Sequence, residues 1–304
     1  MSKFKTIVFG GSGFLGSHIA DALSNSGHEV TIYDLVESPF LRDDQKMIIG
    51  SLQDKEFLQK AISGKDFLYH FAGVADIDFA RNNPEKTYLD NVIGTLNLLE
   101  AARKNKIQRF LFASTVYVYS ELGSFYRSSK QSCETLIENY QDEYQLPFTI
   151  LRYGSLYGPR ANKFNFIGNS IYEALLTKEI KRKGTGNEIR DYIHVLDAAS
   201  ASVKALLKEY ENSHVMIKGN QSMKVSEILD SLNDILGGDL KIKYSKKDYY
   251  DAHYSLTPYS FRPKSAKNMQ MDTYFDLGQG LLETIYEIYQ NLEKEKLKIK
   301  LKVK

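Results

Sequence analysis

Tyr126 and Lys130, in the run Tyr-Arg-Ser-Ser-Lys, place a phenol and an ammonium four residues apart. On a helix the two share one face. A cation beside a phenol favours the phenolate and lowers its pKa, and an oxidised nicotinamide nearby would lower it further. A tyrosine so placed can take a proton from an alcohol near neutral pH. Tyr-x-x-x-Lys alone arises by chance in a chain with 21 tyrosines, so its surroundings matter. Upstream, the apolar run Phe110-Leu-Phe-Ala113 reads as a buried strand that ends at Ser114-Thr115. Hydroxyls at the carboxyl end of a central parallel strand sit where ligands bind.

A second constellation opens the chain. The apolar stretch Ile7–Phe9 is followed by glycines at positions 10, 13 and 16, then by Phe14, Leu15, Ile19 and Leu23 at helical spacing. Strand, glycine turn and helix form the setting of a dinucleotide fingerprint. Glycine allows a tight turn and lets backbone approach a pyrophosphate, and the helix N-terminus faces the negative charge. Asp34 lies 24 residues after Gly10, at the end of a second strand. An acid there accepts hydrogen bonds from ribose hydroxyls and repels a 2′-phosphate, which favours NAD over NADP.

The elements that must position these residues alternate through the first half. Strands are expected near 29–33, 46–49, 67–71, 109–113 and 147–151. Helices are expected from Phe14, over 54–62, from Pro84 to about Lys104, and over 126–144. Repeated strand–helix units imply a parallel sheet covered on both faces. Beyond Tyr153 the pattern loosens, with helical runs at 169–176, 197–210 and 225–236 and strand candidates at 215–217 and 240–244. The expected architecture is α/β: a Rossmann-type doubly wound parallel sheet over residues 1–153, and a smaller α/β substrate-binding lobe over most of 154–304. The segment 193–210 is a candidate to return to the first domain.

Composition excludes several function classes. Lysine plus arginine is 40 and aspartate plus glutamate 38, a formal net charge of +2, and no basic stripe interleaves with aromatics. Neither nucleic acid nor a membrane surface is called for. One cysteine, Cys133, allows no internal disulfide and suits a reducing compartment. No apolar run approaches 18 residues and no signal-peptide core precedes the first strand, so a cytoplasmic protein is expected.

The chain resembles the extended short-chain dehydrogenase/reductases of the NAD-dependent nucleotide-sugar epimerase/dehydratase group. The matching stretches are the Gly10–Gly16 turn, His70-Phe-Ala-Gly73, Asn91-Val-Ile-Gly-Thr-Leu-Asn-Leu-Leu-Glu-Ala101, Ser114-Thr115, Tyr126-x-x-x-Lys130, Leu151-Arg-Tyr-Gly-Ser-Leu-Tyr-Gly-Pro-Arg160 and Arg190-Asp-Tyr-Ile-His-Val195. They run in the family's order over roughly residues 4–200, and Arg262-Pro263 extends the match.

That resemblance implies a set of roles. Tyr126 is the acid/base, Lys130 holds the nicotinamide ribose and depresses the Tyr126 pKa, and Thr115 bonds the reacting sugar oxygen. The cofactor is expected to be NAD, held by Gly10, Gly13, Phe14, Leu15, Gly16, Asp34, Ser51, Leu52, Phe71, Ala72, Gly73, Asn91, Ser114, Tyr126, Lys130 and Tyr153. Ser155, Arg160, Arg190 and Arg262 join Thr115 on a nucleotide-diphosphate sugar, with Arg190 and Arg262 on its phosphates. His70 and His194 are expected to be structural, and no metal is expected.

The implied reaction is oxidation at C4 of the sugar through a 4-keto species, by a 4-epimerase or a 4-dehydrogenase of glycan precursor synthesis. The alternatives are a 4-keto-sugar reductase and a non-catalytic NAD-binding regulator on the same fold. Departures from the family pattern are informative. Ser51 stands where an acid is usual and Ser155 where an asparagine is usual, and Thr115 and Tyr126 are only eleven residues apart. Family dehydratases carry an Asp-Glu pair directly after the threonine, where this chain has Val116-Tyr117. Valine cannot move a proton, and an ordinary phenol, pKa about 10, is a poor base at neutral pH. A 4,6-dehydratase is therefore not expected, nor a decarboxylase, which uses a glutamate at the position of Tyr117. A homodimer is expected through the helix before the fifth strand and the Tyr126 helix, with Leu136 and Ile137 as contact candidates.

Overall fold

The computed structural model describes residues 3–162, 164–219 and 222–245. Arg262 and the dipeptide it begins lie outside them. The first half alternates as its apolar pattern requires: β1 (Lys5–Phe9), α1 (Phe14–Asn25), β2 (Glu29–Asp34), β3 (Gln45–Ile49), α2 (Lys55–Ile62), β4 (Phe67–His70), α3 (Ile77–Asn82) and α4 (Pro84–Tyr88). Then come α5 (Gly94–Lys104), β5 (Arg109–Thr115), α6 (Ser124–Tyr144) and β6 (Phe148–Tyr153). The second half contains β7 (Ser155–Tyr157), α7 (Phe166–Thr177), β8 (Glu179–Lys183), β9 (Ile189–His194), α8 (Val195–Lys204), β10 (Ser213–Ile217), β11 (Ser222–Lys224), α9 (Val225–Ile235) and β12 (Lys241–Ser245).

Seven strands form one sheet in the order β10-β6-β5-β4-β1-β2-β3, and every pairing in it is parallel. This is the doubly wound architecture, with its order reversing between β1 and β4. Alternate residues of each strand feed opposite layers. Ile7 and Phe9 join Leu98, Ile137 and Phe112 beneath α2, α5 and α6, whereas Val8 joins Ile19, Leu23, Ala198 and Ala199 beneath α1 and α8. The segment 193–210 thus places a helix against the first sheet, and β10 extends that sheet beyond β6. A smaller cluster, Ala174, Ile180, Val225 and Leu229, binds α7, β8 and α9. β9 pairs with β7 and β11, and β8 pairs with β12.

Three differences from the sequence reading have physical causes. The helix expected from Pro84 to Lys104 is interrupted by a π-helical turn at Leu89–Ile93, which inserts Asn91 toward the interior. Such bulges re-aim one side chain at a local cost in helix geometry. α3, β7, β8, β9 and β11 are too short or too polar for their period to register. Of the two contact candidates Ile137 is fully buried, whereas Leu136 is half-buried and packs against the same core.

α6 is fastened to the sheet by a buried ion pair. The Arg152 guanidinium on β6 donates to both carboxylate oxygens of Glu134, from Nε at 3.0 Å and from Nη2 at 2.6 Å. Ser114 donates to the same carboxylate, and Arg152 also donates to the Tyr119 hydroxyl. Removing one partner strands a buried charge. Arg152→Met is expected to lower stability by about 3–5 kcal/mol, and the double variant Glu134→Leu/Arg152→Met to regain much of it. Chemical denaturation of the three proteins checks this.

Candidate active site

The chemistry-bearing residues converge at the carboxyl edge of the central strands. Gly10 ends β1 with φ +78°, and a Cβ there would stand 2.4 Å from the Ala72 backbone nitrogen. A Cβ on Gly16 would stand 2.2 Å from the Gly10 carbonyl oxygen. Glycine at these two positions lets β1, α1 and the loop after β4 close on one another. Gly13, the residue before α1, borders the cleft and has only the Gly10 carbonyl near its missing side chain, at 3.3 Å. That leaves room at the helix N-terminus for an anion.

Two continuous hollows share Gly10, Gly13, Phe71 and Gly73. The smaller, about 370 Å³, is lined by Asp34, Ser51, Leu52, Ala72 and Val74 among others. Asp34 ends β2, where its carboxylate accepts from the Ser12 nitrogen at 3.0 Å and the Leu35 nitrogen at 2.7 Å. The larger, about 700 Å³, is lined by Phe14, Leu15 and Gly16 at one side and by Ser114, Thr115, Tyr126, Lys130, Tyr153 and Ser155. Arg190 and Tyr192 border its far part. A nucleotide-bearing cofactor fits this arrangement: an open helix N-terminus, an acid at the end of β2, and a lysine and tyrosine beyond.

Each side chain is positioned by its element. Lys130 is buried on α6, and its Nζ donates to the Ala113 carbonyl at 2.8 Å and lies 4.7 Å from the Phe112 ring centroid. Burial pushes its pKa down, against the opposing pull of Cys133 and Glu134. Tyr126 sits one turn earlier, its ring edge-on to Tyr117 at 6.3 Å between centroids. Thr115 closes β5, and its hydroxyl oxygen accepts from the Tyr117 nitrogen at 3.2 Å, opening a 3-10 turn over Val116–Tyr119. That turn is held from α6: Gln131 donates to the Val118 carbonyl and Arg127 to the Ser120 carbonyl.

Asn91 binds the loop after β4 to α6. Its Oδ1 accepts from the Val74 nitrogen at 2.7 Å, and its Nδ2 donates to the Val74 carbonyl and the Ser129 hydroxyl. Ser129 in turn donates to the Tyr126 carbonyl. His70 is buried and bonded to Thr95, with burial holding its pKa well below the ordinary range. His194 caps α8 by accepting from the Leu196 nitrogen. Among the described residues, no group of three or more His, Cys, Asp or Glu side chains could hold a metal ion, and no helix is long and apolar enough to cross a membrane.

Arg160 is not brought to the cleft. Its guanidinium pairs with Asp21 of α1 at 2.8 Å and lies over Phe40, in a separate groove beside His18 and Lys204. Several lining residues escaped the sequence reading: Tyr117, Phe166, Arg182 and Tyr192. Tyr192 was within reach of it, because strand period two puts it on the face of β9 that Arg190 occupies. Phe166 and Arg182 come from α7 and β8, which share no local pattern with the motifs.

A model of the NAD dependent epimerase/dehydratase family matches residues 6–217. The chain is 30% identical over 307 residues to a putative UDP-glucose 4-epimerase of Methanocaldococcus jannaschii, covering 92% of this chain and 96% of that one. It is 27% identical over 312 residues to the UDP-N-acetyl-alpha-D-glucosaminuronate decarboxylase of Bacillus cytotoxicus, covering 93% and 97%. Among solved structures, the UDP-glucose 4-epimerase of Thermotoga maritima with UDP-glucose superposes with a TM-score of 0.79 at 26% identity, covering 85% of this chain and 90% of that one. With a doubly wound sheet, a glycine-lined helix N-terminus and a matched model over more than two thirds of its length, the chain belongs to the NAD dependent epimerase/dehydratase family.

Proposed function

We propose that the protein oxidises a nucleotide-diphosphate sugar at C4, through a 4-keto species, as a 4-epimerase or 4-dehydrogenase supplying glycan precursors. One observation carries the reading: Thr115, Tyr126 and Lys130 border a single cavity that continues to Arg190. Residues 1–153, with 193–210, are read as the NAD-binding part, and most of 154–304 as the substrate lobe. The names of two similar proteins, a UDP-glucose 4-epimerase and one named a putative UDP-glucose 4-epimerase, support the choice of carbon and substrate class.

Bound NAD supplies the hydride acceptor. The chain's own residues do the rest. Thr115 orients the C4 hydroxyl, and Tyr126 takes its proton. The Lys130 ammonium stabilises the phenolate form of Tyr126 that accepts this proton, and it holds the ribose. Asp34 takes the hydroxyls of the adenosine ribose. Return of hydrogen to the opposite face of the sugar gives an epimer; release of the ketone makes the protein a dehydrogenase. Elimination of water or carbon dioxide needs proton-transfer groups after Thr115, and Val116 and Tyr117 are poor ones. We read the assembly as a homodimer formed through α5 and α6.

Three measurements test the reading. NAD(H) is expected to bind more tightly than NADP(H) in calorimetric titrations, because a 2′-phosphate would meet the Asp34 carboxylate. Equal affinities remove that argument. Incubation with UDP-, GDP- and dTDP-hexoses is expected to give a C4 epimer or a 4-keto product and never one lighter by water. Tyr126→Phe should keep NAD binding and lose about 10²–10⁴-fold in turnover. Near-normal turnover in that variant would assign the proton transfer to another group.

A further inference from the structure

The chain between β7 and α7 walls part of the cleft but is tied down outside it. Asn162, Phe164, Asn165 and Phe166 line the larger hollow, which they share with Arg190. Asn165 also caps α7 by accepting from the Gly168 nitrogen at 3.0 Å, and its Nδ2 donates to the Leu156 carbonyl at 2.8 Å. Shortly before them comes Arg160, with φ +65°. An arginine takes up this left-handed conformation at a cost, and it persists there only where its surroundings over-determine it.

The surroundings of Arg160 do so. Its Nη2 pairs with Asp21 Oδ2 at 2.8 Å, and its guanidinium carbon lies 4.5 Å from the Phe40 ring centroid. Asp21 Oδ1 accepts from the Gln45 side chain at 3.1 Å, which orients the carboxylate. One residue earlier, the buried His18 donates from Nε2 to the Pro159 carbonyl at 2.9 Å. His18 and Asp21 both belong to α1, whose first residues, Phe14, Leu15 and Gly16, border the hollow. One helix thus offers its N-terminus to the cofactor and its following turns to the loop that walls the cleft.

We propose that Arg160 is a positioning residue: its pair with Asp21, beside the His18 bond, latches the β7–α7 loop to the cofactor-binding helix and so sets the affinity of the cleft for the nucleotide part of its substrate. The proposal rests on the nucleotide-sugar reading above. Methionine at position 160 keeps an apolar stem over Phe40 and the same aversion to a left-handed backbone, without the ion pair that holds the residue there. The backbone then relaxes, and Asn162, Phe164 and Phe166 shift at the cavity wall. Thr115, Tyr126 and Lys130 are carried by β5 and α6 and stay in place.

Calorimetric titration of the full chain, saturated with NAD, with UDP, GDP and dTDP tests this. The wild type is expected to bind at least one of them. Arg160→Met is expected to weaken that binding about 3- to 30-fold, the range of couplings carried through packed contacts. Asp21→Asn should do the same, and the double variant should be no weaker than either alone, because the two residues act as one unit. A pair that only stabilised the fold would lower the melting temperature and leave the affinity of the folded protein unchanged. Arg42→Met is the control: Arg42 borders the same groove as Arg160 but bonds to Asp44 and Asn25, and its loss should leave nucleotide affinity as it was. If Arg160→Met does not fold, Asp21→Asn decides the matter. Wild-type affinity in the deciding variant, or an equal loss in Arg42→Met, overturns the latch while leaving the nucleotide-sugar reading standing. Binding of none of the three nucleotides by the wild type overturns the reading itself, and the latch with it.

Discussion

A buried ammonium governs the site. Lys130 has been taken out of water, and such a charge persists only where fixed dipoles and counter-charges replace solvent. Here the Ala113 carbonyl, the face of Phe112 and the nearby Glu134 do so. Each of those partners belongs to β5 or to α6 itself. Keeping the lysine charged therefore fixes the helix against the strand that ends in Thr115. The Glu134–Arg152 pair and the Asn91–Ser129 bond hold the same helix from β6 and from the π turn. Three polar attachments set one helix, and that helix carries both Tyr126 and Lys130.

The cleft divides its electrostatics along its length. At the β1–α1 end, positive potential comes from backbone: an uncapped helix N-terminus that glycines keep accessible. At the far end it comes from side chains, Arg182 and Arg190, partly balanced by Glu188. Thr115, Tyr126 and Lys130 line the same cavity, as do Tyr117 and Tyr153.

Legibility from sequence followed the reach of each signal. Ile7–Phe9 with its glycines, and Tyr126 with Lys130, are local patterns, and the geometry that positions them is set within a few residues. Six strands of the sheet were legible because buried parallel strands read as continuous apolar runs, whereas the place of β10 beside β6 was not. Asn91 was legible by motif but its π turn was not, since a one-residue insertion leaves the helical period nearly intact. Glu134 and Arg152 are 18 residues apart and adjacent only after folding. Arg160 looked like a substrate contact by its motif, yet Asp21, across the fold, claims it. The lobe's strands, such as Lys181-Arg182-Lys183, are polar and short, and polar strands carry no period that separates them from loops.

The chain leaves the main sheet after β6, builds β7, α7, β8 and β9, and only then returns with α8 and β10. Of the layer that covers Val8, Ile32, Tyr69 and Leu111, α1 is local but α8 is made by residues remote in sequence from the strands beneath it. During synthesis the first six strands emerge from the ribosome well before their second covering helix exists. Until about residue 217 has been made, one face of a parallel sheet stays partly bare and the edge of β6 unpaired. Both are adhesive surfaces for other nascent chains. That order of elements makes the nascent protein dependent on its own second half for protection.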